Sequence, residues 1–272
     1  MDTISQKYFD IGECIYCHKK ECKLTTEHVI PFALGGNLIL QNSCCENCRE
    51  ITSKCERNPL NENWAEARAC LDYPSRRRDF NNEDFTLEVV LRNGDKKTLS
   101  LKKSEILGIT QFLEYGLPAI FTGQNNSGIT VTAVSTFGFG INLKEFQKSH
   151  DIKQFSYSVS HKQNYFETML TKIAYGFVIA CWGTECFEEC FVLPSILRKS
   201  DDIGLWVGCD SEEKILPKIG IQNGKNVLKL GIFKPTKSDK QLIIVRLKFF
   251  ANTETPEYIV VVGTLNKEFK IK

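Results

Sequence analysis

Apolar and polar positions recur along this chain with two different periods. Over residues 163–182, Phe166, Met169, Leu170, Ile173, Ala174, Phe177, Val178 and Cys181 return every three or four residues. That spacing predicts one long helix with a wide apolar stripe. Residues 61–71 carry Trp64, Ala67 and Leu71 at helical spacing, and residues 189–198 read as a further short helix. Elsewhere the period shortens to two. Residues 85–92 and 96–101 flank Asn93-Gly94, whose readily positive φ values suit a tight hairpin turn. Strands are predicted over 129–135, 154–160, 227–233, 242–250 and 258–262. Strands on both sides of a buried helix give an α+β fold, with a mainly antiparallel sheet packed on the long helix.

The first 60 residues have a different texture. Of twelve cysteines, seven fall before residue 56: Cys14, Cys17, Cys22, Cys44, Cys45, Cys48 and Cys55. Nothing at the start of the chain reads as a signal peptide and no apolar run is long enough to span a membrane, so a cytoplasmic, non-membrane protein is expected. In a reducing compartment clustered cysteines favour metal over disulfides. Cys14-Ile15-Tyr16-Cys17 and Cys45-Glu46-Asn47-Cys48 form two knuckles able to present four thiolates to one Zn²⁺. His18 is a lesser alternative ligand. Cys22, Cys44 and Cys55 are expected to pack, as are Cys181, Cys186, Cys190 and Cys209 among their apolar neighbours. Neither knuckle lies on a βαβ pattern of the kind that carries thiol redox chemistry.

Three segments result: a cysteine-rich module at 1–60, a helix and basic linker at 61–82 ending in Tyr73-Pro74-Ser75-Arg76-Arg77-Arg78-Asp79, and a larger α+β domain at 83–272. Net charge is only +2, from 35 basic and 33 acidic residues, so whole-chain electrostatics do not argue for a nucleic-acid partner. Any phosphate contact must be local, and Arg76, Arg77, Arg78 and Arg68 are the candidates.

Between the knuckles, Leu24-Thr25-Thr26-Glu27-His28-Val29-Ile30-Pro31 reads as a short strand ending in an acid–histidine pair before a proline. Gly35-Gly36-Asn37 and a second short strand, Leu38-Ile39-Leu40, follow, and the second knuckle opens a helix to about Arg57. The order Cys-x-x-Cys, β, Glu-His, Gly-Gly-Asn, β, Cys-x-x-Cys, α resembles the HNH endonuclease superfamily in its zinc-stabilised ββα-metal form, over about a fifth of the chain.

The resemblance implies a metal-dependent endonuclease. His28 would be the general base, Glu27 an acidic ligand of a catalytic Mg²⁺ or Mn²⁺, Asn37 the residue that orders the loop, and Cys14, Cys17, Cys45 and Cys48 the structural zinc ligands. Where the family usually has Asn or His after the last cysteine, this chain has Arg49, which cannot bind a cation but could hold a phosphate. Glu56, seven residues further along nearly the same helical face, is the candidate replacement ligand. The implied substrate is nucleic acid, DNA ahead of RNA, in settings such as bacterial restriction or anti-phage defence. The C-terminal domain would select substrate, bind a protein partner, form a homo-oligomer or restrain the nuclease. The chemistry is consistent, since attack on a phosphodiester needs charge neutralisation at phosphorus and a base near neutral pKa. A zinc-braced module that binds nucleic acid or protein without cutting is the alternative.

Overall fold

The long apolar stripe becomes the Tyr165–Trp182 helix, buried at every residue except Tyr165 and Cys181. Burial on all sides, rather than along one stripe, follows from its two neighbours. One side lies on strands Asn226–Phe233, Leu242–Lys248 and Glu257–Leu265, and the other meets the Glu46–Asn58 helix and the Leu38–Cys45 strand. The helix is thus a middle layer between the large sheet and the cysteine-rich module. The computed structural model describes residues 2–3, 7–76, 85–123, 128–157, 159–209, 219–223, 225–236 and 238–271. Among the described residues no helix is long and apolar enough to cross a membrane.

The large sheet runs Asp2–Thr3, Ile219–Asn223, Asn226–Phe233, Leu242–Lys248, Glu257–Leu265, Phe187–Cys190, with Val207–Cys209 also on Glu257–Leu265. Every ladder is antiparallel except that of Asp2–Thr3 with Ile219–Asn223. Its central strands are near-continuous in Ile, Val and Leu and are buried on both faces. Around it lie the expected hairpin, Phe85–Leu91 with Lys96–Leu101, joined by Ile152–Phe155, and a second hairpin, Leu107–Tyr115 with Val131–Gly140. The fold is α+β, with the four clustered cysteines in a small N-terminal region.

Three expectations change. Residues 189–198 do not form one helix: Phe187–Cys190 pairs with Glu257–Leu265, and the helix that follows is only Leu193–Ile196. Pro194 sits in that helix's first turn, the one place where its missing N–H costs nothing. Residues 61–71 are likewise split. The Glu46–Asn58 helix meets Pro59, loosens into a π turn over Pro59–Asn63, and restarts as Ala65–Cys70.

The stretch after residue 60 also belongs to the core rather than bridging two cores. Trp64 is fully buried among Phe112, Phe166, Phe249 and Phe250, with ring centroids 5.1, 5.6, 5.1 and 5.5 Å away. Arg68 is buried with it and donates to the carbonyls of Ala33 and Leu60, both at 2.8 Å, so its guanidinium ties main chain together. One hydrophobic cluster therefore runs from Cys14 to Leu265 through all three segments.

Candidate functional site

The module is built as its pattern dictates. Leu24–His28 pairs antiparallel with Leu38–Cys45, and Lys7–Asp10 adds a parallel strand on the other edge. Pro31 starts a single turn over Phe32–Leu34, closed by Gly35 at φ 73°. Gly36 is required for a separate reason: a Cβ there would lie 1.8 Å from the Ile30 carbonyl oxygen. Asn37 follows at the entry to the second strand, a position that fits ordering of the loop, and it does not line the cleft described below.

The sulfurs of Cys14, Cys17, Cys45 and Cys48 all lie within 4.8 Å of one another, with Cys17 and Cys45 at 3.6 Å. Tetrahedral Zn–S bonds of about 2.3 Å require sulfur separations near 3.8 Å, so the four residues fit a structural zinc. His18 stands apart, its Nδ1 3.7 Å from the Glu13 carboxylate. Cys44 and Cys55 are buried as expected; Cys22 is exposed. The Cys44 thiol donates to the Cys45 carbonyl at 3.5 Å, beside the cluster.

On the other side of the hairpin opens a cleft of about 310 Å³. Between Thr25 and Glu27 the strand register shifts, opposite Asn42 at φ 47°, and a bulge of this kind re-aims the side chains beside it. Glu27 and His28 both reach the cleft. The first turn of the module helix adds Arg49, its later turns add Glu56 and Arg57, and the chain returning past the core adds Arg76. Arg49 is exposed and forks onto Glu46, with Nε 3.1 Å from Oε2. Arg76 lies 5.4 Å over the Phe32 ring, which meets the His28 ring edge-on at 5.9 Å. Arg77 and Arg78 lie outside the described residues.

His28 is a half-exposed imidazole whose pKa is pushed below its ordinary 6.5, first by burial and then by the positive charges of Arg76 and Lys172. A neutral imidazole can accept a proton at pH 7.

The floor of the cleft holds the residue that sequence reasoning missed. Lys172, from the middle of the long helix, contacts the Glu27 carboxylate, the Glu56 carboxylate at 2.5 Å and the His28 carbonyl oxygen at 2.8 Å. Two carboxylates on one nitrogen lie within about 5 Å of each other, so Glu27 and Glu56 do converge, but on an ammonium. Burial opposes the charge of Lys172, and the two carboxylates more than offset it, so its pKa stands above the ordinary lysine value. A signal existed in the sequence: a lysine inside a mostly apolar helix must find an acid, and only a fold-level placement could say which.

A catalytic divalent cation fits these residues poorly. Among the described residues the four cysteines are the only group of three or more ligand-type side chains with converging donors. One oxygen of each acid, Glu27 Oε1 and Glu56 Oε1, is already bonded to the Lys172 ammonium, whose charge opposes a second cation there.

Residues 14–59 match the family model for HNH endonuclease, and no family model matches the C-terminal region. No curated protein matches the chain, and no solved structure does. The N-terminal region is therefore an HNH nuclease-like module with a four-cysteine cluster compatible with structural zinc.

Proposed function

We propose that the protein hydrolyses phosphodiester bonds of nucleic acid at the His28 cleft, with DNA as the substrate and restriction or anti-phage defence as the setting. The family match supports the reaction class. DNA and the setting rest on the resemblance alone. The observation that carries the mechanism is a neutral imidazole set in a cleft whose rim is arginine. A diester phosphate would lie against Arg49, Arg57 and Arg76, whose charges offset its own and whose planar forks suit its oxygens. His28 takes a proton from a water as the water oxygen bonds to phosphorus. The phosphorus–oxygen bond on the far side breaks, and the leaving oxygen takes its pair of electrons and a proton from solvent. The zinc holds the hairpin against the helix and takes no part in that step.

A second reading is favoured by one observation. With Arg49 in the usual ligand position and Lys172 between the acids, the module can bind a phosphate backbone without cutting it. The full chain incubated with plasmid DNA and with RNA, with and without added Mg²⁺ or Mn²⁺, separates the two readings. Cleavage that disappears in His28→Ala supports the nuclease. Retarded migration on a gel with no cleavage under any condition supports the binding module.

A further inference from the structure

The disagreement between the family's metal and this chain's side chains goes further than the proposed reaction, on which it rests for its functional meaning. We infer that Lys172 is the resident cation of the cleft, standing where the family holds its divalent ion, so that Glu27 and Glu56 bind no Mg²⁺ or Mn²⁺ in the folded protein.

Three observations carry this. The first is stoichiometric. An ammonium has three N–H donors, and Lys172 has three acceptors around it: Glu27, Glu56 and the His28 carbonyl. No donor of the ammonium is left over, and each acid already has a cation in contact.

The second is mechanical. The Lys172 side chain is 3% exposed on a helix whose neighbours, Met169, Leu170, Ile173 and Ala174, are fully buried. An ion taking the carboxylates would leave a buried ammonium with a single carbonyl for company. Unpaired buried charge is among the least tolerated arrangements in a protein. A surface lysine would swing away; this one is held by the core.

The third is the ligand set. Mg²⁺ demands near-octahedral oxygen coordination at about 2.0–2.1 Å, usually from one or two carboxylates and several waters. Here the two carboxylates that line the cleft each have one oxygen on the Lys172 nitrogen, so a cation would have to compete with the ammonium for them. The position that usually completes the family's set holds Arg49, a cation that itself forks onto Glu46 and offers no metal ligand.

Lys172 is on this account a positioning residue. It fixes both carboxylates, and through the carbonyl it fixes the main chain from which the His28 imidazole projects. The charge that meets the phosphate then comes from the arginines of the rim.

Mn²⁺ uptake, followed by electron paramagnetic resonance on the zinc-loaded full chain, tests this without reference to activity. The wild type is expected to leave free Mn²⁺ unchanged up to about millimolar concentration, weaker than an assembled oxygen site. Lys172→Met, which frees both acids, is expected to take up one Mn²⁺ at least about tenfold more tightly, and Glu27→Gln/Lys172→Met to lose it. Saturable wild-type uptake of one Mn²⁺ that Glu27→Gln abolishes overturns the inference. A folded, zinc-retaining Lys172→Met chain that takes up none overturns it too. If Lys172→Met does not fold, the wild-type titration decides alone. Cleavage assayed in parallel separates the two ideas: an unchanged Mn²⁺ signal with no cleavage of DNA or RNA supports the resident ammonium and overturns the nuclease.

Discussion

Tyr175 donates its hydroxyl proton to the carbonyl of Ile15 at 2.6 Å, inside the first cysteine knuckle. Both groups are buried, and the Tyr175 ring lies 6.0 Å from that of Tyr16. The long helix therefore grips the first cysteine knuckle less than one turn beyond the position where Lys172 grips the acids. Tyr175→Phe leaves the Ile15 carbonyl without this partner. Unfolding in urea is expected to show a loss of about 1–3 kcal/mol, the usual cost of a buried polar group deprived of its bond, with zinc content unchanged.

Zinc should govern the stability of the module. One Zn²⁺ per chain is expected by metal analysis. Cys45→Ser should lower the zinc content and unfold or aggregate the protein, whereas Cys22→Ser, at an exposed thiol, should change neither. A chain that keeps its melting temperature after complete zinc removal contradicts this.

Replacing His28 by alanine should leave zinc and melting temperature in place and reduce cleavage by at least about 100-fold, the low end of what a general base supplies. Arg76→Ala, which removes the cation above Phe32, should weaken nucleic-acid binding and flatten its salt dependence by about one charge. Arg68→Ala should instead destabilise the fold, because its guanidinium serves the Ala33 and Leu60 carbonyls.

Much of this was legible before any coordinates. The four-cysteine cluster, the Glu27-His28 strand end and the Gly-Gly turn follow from local order in the chain, and the long helix follows from its period. What escaped depends on contacts between distant segments. Leu107–Tyr115 does not alternate cleanly in burial, and it packs on the Ala65–Cys70 helix and the Val207–Cys209 strand, both distant in sequence. Trp64 read as one face of a linker helix, yet the four rings around it come from three other parts of the sequence. Phe187–Cys190 became a strand only because an edge of Glu257–Leu265 was free to pair. Lys172 escaped because its partners Glu56, His28 and Glu27 lie 116, 144 and 145 residues away.

Glu167 is a second charged residue inside that helix, buried, and accepts a hydrogen bond from the Tyr115 hydroxyl at 2.6 Å. Burial raises its carboxyl above the ordinary 4.5, with the Tyr115 bond opposing. The folded chain thus holds this proton more tightly than the unfolded one, and stability falls as pH rises through 4.5 toward the raised value. Glu167→Gln keeps an acceptor for Tyr115 and removes that dependence. Its melting temperature should match wild type near pH 4 and exceed it by about 2 °C or more at pH 8. Equal melting temperatures at pH 8 would refute the assignment.

The contact between Lys172 and the His28 carbonyl also sets an order of events during synthesis. The two residues are 144 apart in sequence, an interval of roughly 7–30 s at ordinary translation rates of about 5–20 residues per second. Once Glu56 has been made, and for most of that interval, the nascent chain has both knuckles, its acid pair and its imidazole, but neither the ammonium between the acids nor the tyrosine that clamps the first knuckle. The cleft is completed late, when the last turns of the long helix have left the ribosome, and a product interrupted before residue 165 never acquires it.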